Sequence, residues 1–325
     1  MDLKFFIGPM SKNVVDSIIE FQKLSSKKVG IIPSRRQIDY LGGYSNNWTT
    51  DQISKYSDDL IIMRDHGGPG QGAEEDDGYL SLEHDCKYFD YIHIDPWKKY
   101  PSFNKGSKWT LEMIKFCLSK NSNIKFEVGT EEAIRRFEPK ELDELLNFLK
   151  LNLSKDEFLQ IKYLVIQSGT SLSSNQNTGN FDLKRLNKMV NVARKNKLKS
   201  KEHNGDYIPE KLIKLKMSNG LDSINIAPEF GLIETQIYLD QINDRKDLFE
   251  RYWEICYQSK KWVKWVGKDF EPVKQKESLI KICGHYVLSN NDFNNDFNND
   301  IKSEFEGIDL LIKTNIINKL TSLHQ

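Results

Sequence analysis

Two histidines and four carboxylates stand at similar places in this chain, each at or just after a strand-like run. His66 follows Asp65, His203 follows Glu202, and Glu127 leads through Gly129 and Thr130 to Glu131. Neutral imidazole with carboxylate is a normal zinc set, and a catalytic zinc keeps one position open for substrate. His66, Glu127 and His203 are therefore the candidate ligands of Zn2+ or another divalent metal. Asp65 and Glu131 are the candidate proton carriers. Other groups with a binding chemistry occupy equivalent places: Arg35, Arg36 and Gln37, then Asp95, then Gln167, Ser168 and Gly169, then Gly205, then Asn225. Arg35 and Arg36 could clamp a phosphate bidentately. Glycines such as Gly169 and Gly205 let backbone N–H groups approach an anion. Polar residues also mark where any strand meets water. That accounts for serine and glycine better than for Asp-His and Glu-His pairs, whose burial costs energy unless they are paired. His84, His93, His285 and His324 carry weaker signals, since His84 falls in a helical stretch and His324 at the tail.

None of these residues meets another through local structure, so the elements between them must do the positioning. Short β-branched runs alternate with longer amphipathic ones. The strands are expected at Leu3–Ile7, Val29–Ile32, Leu60–Met63, Tyr91–Ile94, Ile124–Val128, Tyr163–Ile166, Leu198–Glu202 and Ser223–Ile226. Between them, Leu183, Leu186, Val190 and Ala193 share one helical face. A second helical pattern runs from Ile134 to Leu149, broken or restarted at Pro139. Strand–helix alternation favours a parallel sheet. Eight units favour a (β/α)8 TIM barrel over an open doubly wound sheet, and such a barrel gathers its functional groups where strands run into βα loops. The barrel is expected over residues 1–243. Residues 244–325 are expected to form a helical extension packed on it, with three helix-like runs. Its aromatic stretch Asp244–Trp265 suits packing on the barrel better than a subunit interface. The repeat DFNNDFNND at Asp292–Asp300 reads as a polar loop. The loop RRQIDYLGGYSNNW after Ser34, leading to a short helix near Thr50–Tyr56, is long enough to be functional or disordered.

Bulk properties narrow the function class. Hydrophobic residues are 38% and charged residues 29%, which allows a sizeable core under a soluble surface. Lysine plus arginine equals aspartate plus glutamate, at 47 each. With no basic excess, a nucleic-acid partner is not expected. No apolar run suits a signal peptide or a bilayer span, so no membrane partner and a cytoplasmic setting are expected. The four cysteines are widely spaced and without a CxxC, and are read as buried thiols.

As an ordered set the motifs resemble a known family. RQIDYLGGYSNNWTTDQ followed by IIMRDHGGPGQG is similar to the accessory, or Z-type, subunits of class II tagatose-bisphosphate aldolase. Gln37, Gly42, Gly43 and Tyr44 match its polar loop. Asp65, His66, Gly68 and Pro69 match its segment after the third strand. IHIDPW at Ile92–Trp97, EVGTEE at Glu127–Glu132, IQSG at Ile166–Gly169, EHNGDY at Glu202–Tyr207 and DRKDLFERYW at Asp244–Trp253 continue the series. The wider class II aldolase family implies a general acid at Asp65, a zinc histidine at His66, and counterparts of its later motifs at Glu127, His203-Asn204-Gly205 and Asn225-Ile226. Two departures stand out. SGTSLSS after the sixth strand holds no histidine where the catalytic enzymes have one, and Ala227 replaces an acid.

The resemblance implies a metal-dependent aldolase that cleaves a ketose phosphate, with zinc polarising the carbonyl and Asp65 moving the proton. It also implies a rival: a non-catalytic accessory subunit, whose partner is a catalytic aldolase subunit; a homo-oligomer is the other assembly it allows. Two further readings stay open from the residues. Lys125 or Lys201 could serve a Schiff-base aldolase, and a sugar isomerase or epimerase would use the same enediolate.

Overall fold

Inward and outward positions alternate along every strand, and this period of two decides what reaches the interior. The computed structural model describes residues 3–57, 59–290 and 293–325. Eight parallel strands surround the axis: β1 (Phe5–Ile7), β2 (Gly30–Ile31), β3 (Met63–Gly67), β4 (Tyr91–Ile94), β5 (Lys125–Val128), β6 (Ile161–Val165), β7 (Lys199–Glu202) and β8 (Ser223–Ile226). Each pairs with its sequence neighbour, and β1 pairs with β8. Bridges Ile31↔Ile62 and Ser34↔Asp65 join β2 to β3, so the ring of a TIM barrel is complete.

Phe5, Ile7, Ile92, Ile94, Phe126, Val128, Ile224 and Ile226 point outward into one continuous apolar cluster with the surrounding helices. Leu3, Phe6, Ile32, Met63 and Tyr163 form a separate cluster inside the ring. The residues interleaved with the outward set, His93, Glu127 and Asn225, therefore face the axis. On β7, Glu202 turns outward to Lys216 (2.6 Å), while Lys201 and, just beyond the strand, His203 turn inward.

Seven expected strands fall within two residues of where they form. The third is the exception. It extends to Gly67 rather than stopping at Met63, with an irregularity between Arg64 and Gly67 where the pairing to β4 shifts register. Such a bulge bends the strand and re-aims its side chains. Here it carries Asp65 and His66, which the sequence placed in a loop. Pro139 begins the helix Pro139–Asn152, where its missing N–H costs nothing.

The long loop after β2 is ordered by charge. Fully buried Arg64 holds Asp85 through Nη2 and Oδ1 at 2.7 Å and donates to the carbonyls of Pro33 and Ile38. The loop then enters the helix Thr50–Tyr56 through a capping box on Thr49 and Gln52.

The C-terminal extension forms helices Lys246–Gln258, Lys276–Cys283, Asn298–Glu304 and Ile308–Leu323. The last packs against Lys12–Leu24 and Pro228–Gln241, and the apolar cluster runs unbroken from barrel helices into it. The expected polar loop at Asp292–Asp300 needs correction. Asp292 lies outside the described residues, but Phe293 and Phe297 form one helical turn and are fully buried against Tyr252. Their four-residue spacing sets both rings on one face. Among the described residues, no helix is long and apolar enough to cross a membrane.

Candidate functional site

At the C-terminal mouth of the barrel, three imidazoles and a carboxylate meet. One ring nitrogen or carboxylate oxygen from each of Asp65, His66, His93 and His203 lies within 4.8 Å of the others. The His66 and His203 rings are 5.2 Å apart between centroids, and His93 is 5.0 Å from the first and 4.8 Å from the second.

Each imidazole is oriented from behind. His66 Nδ1 meets Asp95 Oδ2 at 2.6 Å, and its Nε2 faces Asp65 at 3.7 Å and Glu131 at 3.6 Å. His203 Nε2 meets Glu127 Oε1 at 2.5 Å, and its Nδ1 faces Asp65 Oδ1 at 3.5 Å. A carboxylate on one ring nitrogen leaves the other directed at the shared centre, the usual support of a metal-binding histidine. His93 gives Nε2 to the Gly129 carbonyl at 3.0 Å, while its Nδ1 receives the His66 amide at 3.3 Å. His66 itself holds a left-handed backbone (φ 48°), a strained conformation for a non-glycine residue. Asp65 Oδ1 is buried and lacks a hydrogen-bond partner.

Electrostatics separates the rings. Burial alone would lower the His66 pKa, but Asp65, Asp95 and Glu131 hold it well above the ordinary value. His93 is lowered to about 4, chiefly by burial, so its ring stays neutral. Burial opposes ionisation of Glu127, yet Lys201 and His203 keep its pKa below the usual carboxylate range. Asp206 accepts the amides of Ala227 and Glu229, at 2.8 Å each, and burial beside Glu229 still pushes it up to about 7.

A cavity of about 170 Å³ opens above this cluster. Of the residues singled out in the sequence, Asp65, His66, Glu131, His203, Gln37 and Asn225 line it. Both polar atoms of the Asn225 amide are buried without partners.

The other candidates lie elsewhere, for identifiable reasons. Glu127 sits one step deeper, between His203 and Lys201, and orients rather than joins the group. Asp95 is spent on His66, Thr130 and the Trp97 amide. Arg35 is not a free phosphate clamp, because Asp39 and Asp76 hold its guanidinium and Gly68 takes a further bond. Arg36 lies at the exposed rim, with Nε on the Gly72 carbonyl at 3.3 Å. Gln167 ties down the backbones of Thr130, Arg135 and Phe137. Ser168 belongs to a closed network with Glu202 and Lys216. Gly169 packs on the Asn180 backbone at φ 94°, and Gly205 packs under Ile224.

Lys201 is fully buried, 2.8 Å from Glu127 and 3.9 Å from the Phe6 ring centroid. Lys125 lies at the opposite end of the barrel, over Tyr91.

Sequence reasoning passed over His93, whose signal was available: it alternates with Ile92 and Ile94 and pairs in register with Glu127. His93 thus brings a third imidazole to the cluster, from β4. Trp265 and Tyr286, also lining the cavity, come from the extension and left no periodic trace.

Solved structures share this architecture. A probable tagatose 6-phosphate kinase from Sinorhizobium meliloti 1021 is 13% identical, with TM-score 0.77 over 99% of both chains. A fructuronate-tagaturonate epimerase from Cohnella laeviribosi is 10% identical, with TM-score 0.65 over 99% of this chain and 81% of that one. A fructose-bisphosphate aldolase from Campylobacter jejuni is 11% identical, with TM-score 0.57 over 99% and 90%. At these identities the likeness is one of fold, and it is the barrel that the motif resemblance implied. No family model matches the sequence, and no curated protein matches it.

Proposed function

We propose that this chain is a metal-dependent lyase of the class II aldolase type, acting in the cytosol on a ketose phosphate by reversible aldol C–C cleavage. The observation that carries the reading is the convergence of His66, His93, His203 and Asp65 at one mouth, two of the rings held from behind by buried carboxylates. The donor set suits a divalent metal such as Zn2+, because each of those two rings keeps a nitrogen directed inward beside the partnerless Asp65 Oδ1. His66, His203 and Asp65 would hold it, with His93, both of whose ring nitrogens are engaged by the backbone, packed beside them; it would supply a Lewis acid for the ketose carbonyl.

The rest falls to the chain itself. Asp65 takes the proton from the hydroxyl on the carbon β to the carbonyl, the far atom of the bond that breaks. The C–C electron pair moves toward the carbonyl, an aldehyde departs, and the enediolate is left to be protonated. Glu131, steadied by the Asn204 amide at 2.8 Å, is the second proton carrier on the same wall. Asn225 presents its partnerless amide to substrate hydroxyls, while the Gln37 amide, bonded to the Ser34 N–H and Met10 Sδ, shapes the wall beside it. The Schiff-base alternative finds no support in Lys201, whose amine is shut beneath Glu127.

Elemental analysis tests the reading. Purified wild type should carry a divalent metal that His66→Ala and His203→Ala lose, and wild type should release triose phosphate from a ketose phosphate. Equal metal in all three proteins would end it. The accessory-subunit alternative draws on the small cavity and on the absence of histidine in the loop after β6. It predicts no triose phosphate until a catalytic aldolase subunit is added.

A further inference from the structure

The cavity has a gap in its chemistry. Its lining offers carboxylates (Asp65, Glu131, Asp206), imidazoles, amides and aromatic rings, but no lysine or arginine. A phosphate placed inside would meet three carboxylates with no lysine or arginine to offset them. Arg35 cannot help, being held by Asp39 and Asp76.

The free cations stand around the opening instead. Arg36 lies between Ser34 and Gln37, both of which line the cavity. Lys98, on the loop after β4, donates Nζ to the Gly70 carbonyl at 2.9 Å. Lys264, on the extension, sets Nζ 4.5 Å from the Trp265 ring centroid and 5.2 Å from that of Tyr286, the two rings that form the outer wall. Neighbouring Lys99 is paired with Glu75 at 2.6 Å. Arg36, Lys98 and Lys264 have no carboxylate within ion-pair distance among the described residues.

They also feel one another. Desolvation, then Arg36, Lys261 and Lys98, push Lys264 down to about 8. Desolvation and Arg36 lower Lys98, against weaker pulls from Glu75 and Asp95. Like charges gathered from three separate elements without a counter-ion are costly to hold together, and an oxyanion relieves that cost.

We propose that Arg36, Lys98 and Lys264 form an anion-recognition rim that takes the phosphate of the substrate while its carbonyl end reaches the imidazole cluster. The proposal rests on the sugar-phosphate reading above. It gives the extension a direct part in substrate choice, because Lys264 and the rings beneath it both belong to that segment.

Inorganic phosphate is the probe. Calorimetric titration near pH 8, in two buffers of different ionisation enthalpy, should show phosphate binding with proton uptake as Lys264 recharges. Arg36→Gln and Lys264→Gln should each weaken binding about tenfold, the loss expected for one charge-assisted hydrogen bond, and Lys99→Gln should not. A phosphorylated ketose should outbind the same ketose without phosphate in wild type and lose that advantage in the Arg36→Gln/Lys264→Gln double variant. Equal phosphate binding by wild type and double variant would overturn the proposal. So would a hexuronate binding the rim more tightly than phosphate. Rim-dependent phosphate binding without any C–C cleavage would leave the rim standing and remove the aldolase reading.

Discussion

The two walls of the cavity are built on opposite terms. On the barrel wall, nearly every ionisable group is answered by another: His66 by Asp95, His203 by Glu127 and, beneath it, Glu127 by Lys201. On the extension wall, Trp265 and Tyr286 present ring faces, and the cations around them go unanswered. The first arrangement fixes chemistry in place. Partners set before substrate arrives avoid reorganisation during the reaction. The second leaves charge to be neutralised by whatever binds. On the proposed function, a reacting centre and a recognition surface face each other across one small cavity.

The barrel wall breaks first at Asp65. Its Oδ1 has no hydrogen-bond partner, so Asp65→Asn removes a proton carrier without dismantling a network. We expect kcat for ketose phosphate cleavage to fall about 10²- to 10⁴-fold, the usual span for a general acid–base group. Steady-state rates checked beside metal content separate proton transfer from metal retention. A kcat within threefold of wild type would remove Asp65 from the chemistry.

Next comes Glu127→Gln, which leaves the Lys201 ammonium buried without its counter-charge. Breaking a buried pair from one side costs about 3–5 kcal/mol. Urea unfolding with a chelator present throughout should show that loss. Adding Lys201→Met to the same chain should recover part of it. A loss below about 1 kcal/mol would mean that the pair behaves like a surface one.

The extension wall should respond differently. Phe297→Ala empties a site sealed by Tyr252 and Phe293, for about 3 kcal/mol of stability. Tyr252, on which Phe297 packs, lies against Gly284, two residues before Tyr286; if that wall binds rather than reacts, as proposed, KM should rise while kcat stays within a few-fold. The reverse pattern would erase the distinction between the walls.

How much of this was legible depended on whether a residue obeyed a period. Most strands announced themselves by short apolar runs, and β8 carried Asn225 inward between Ile224 and Ile226 as alternation requires. β3 did not, because its mouth end reads Arg64-Asp65-His66, which looks like loop to any rule based on apolarity. A barrel interior near its mouth is polar, and the register shift that aims His66 leaves no mark in residue type. His93 obeyed the period but had no acid beside it to draw notice. Arg35 looked like a phosphate clamp because sequence shows a charge and not the Asp39 and Asp76 that occupy it. Trp265 and Tyr286 reach the cavity only because the extension folds back over the barrel, a contact between distant segments that no local pattern encodes.

The smallest expected effect tests the one exception on the barrel wall. Asn225 is only 6% exposed, yet neither its Oδ1 nor its Nδ2 has a partner, while the neighbouring His66, His203, Glu131 and Asp206 side chains each have one. A buried unpaired amide costs about 1–3 kcal/mol, so its persistence makes sense if substrate hydroxyls complete it. Asn225→Ala removes both the amide and its cost. The small void left behind works against that gain, so net stability should move by about 0.5 kcal/mol or less. Ketose phosphate binding should nonetheless weaken about tenfold, one hydrogen bond's worth. Thermal unfolding and calorimetry on the same samples give both numbers. A stability loss above about 2 kcal/mol would show that the amide already has work inside the fold. The barrel wall would then hold no vacancy for a ligand, and recognition would rest on the extension side alone.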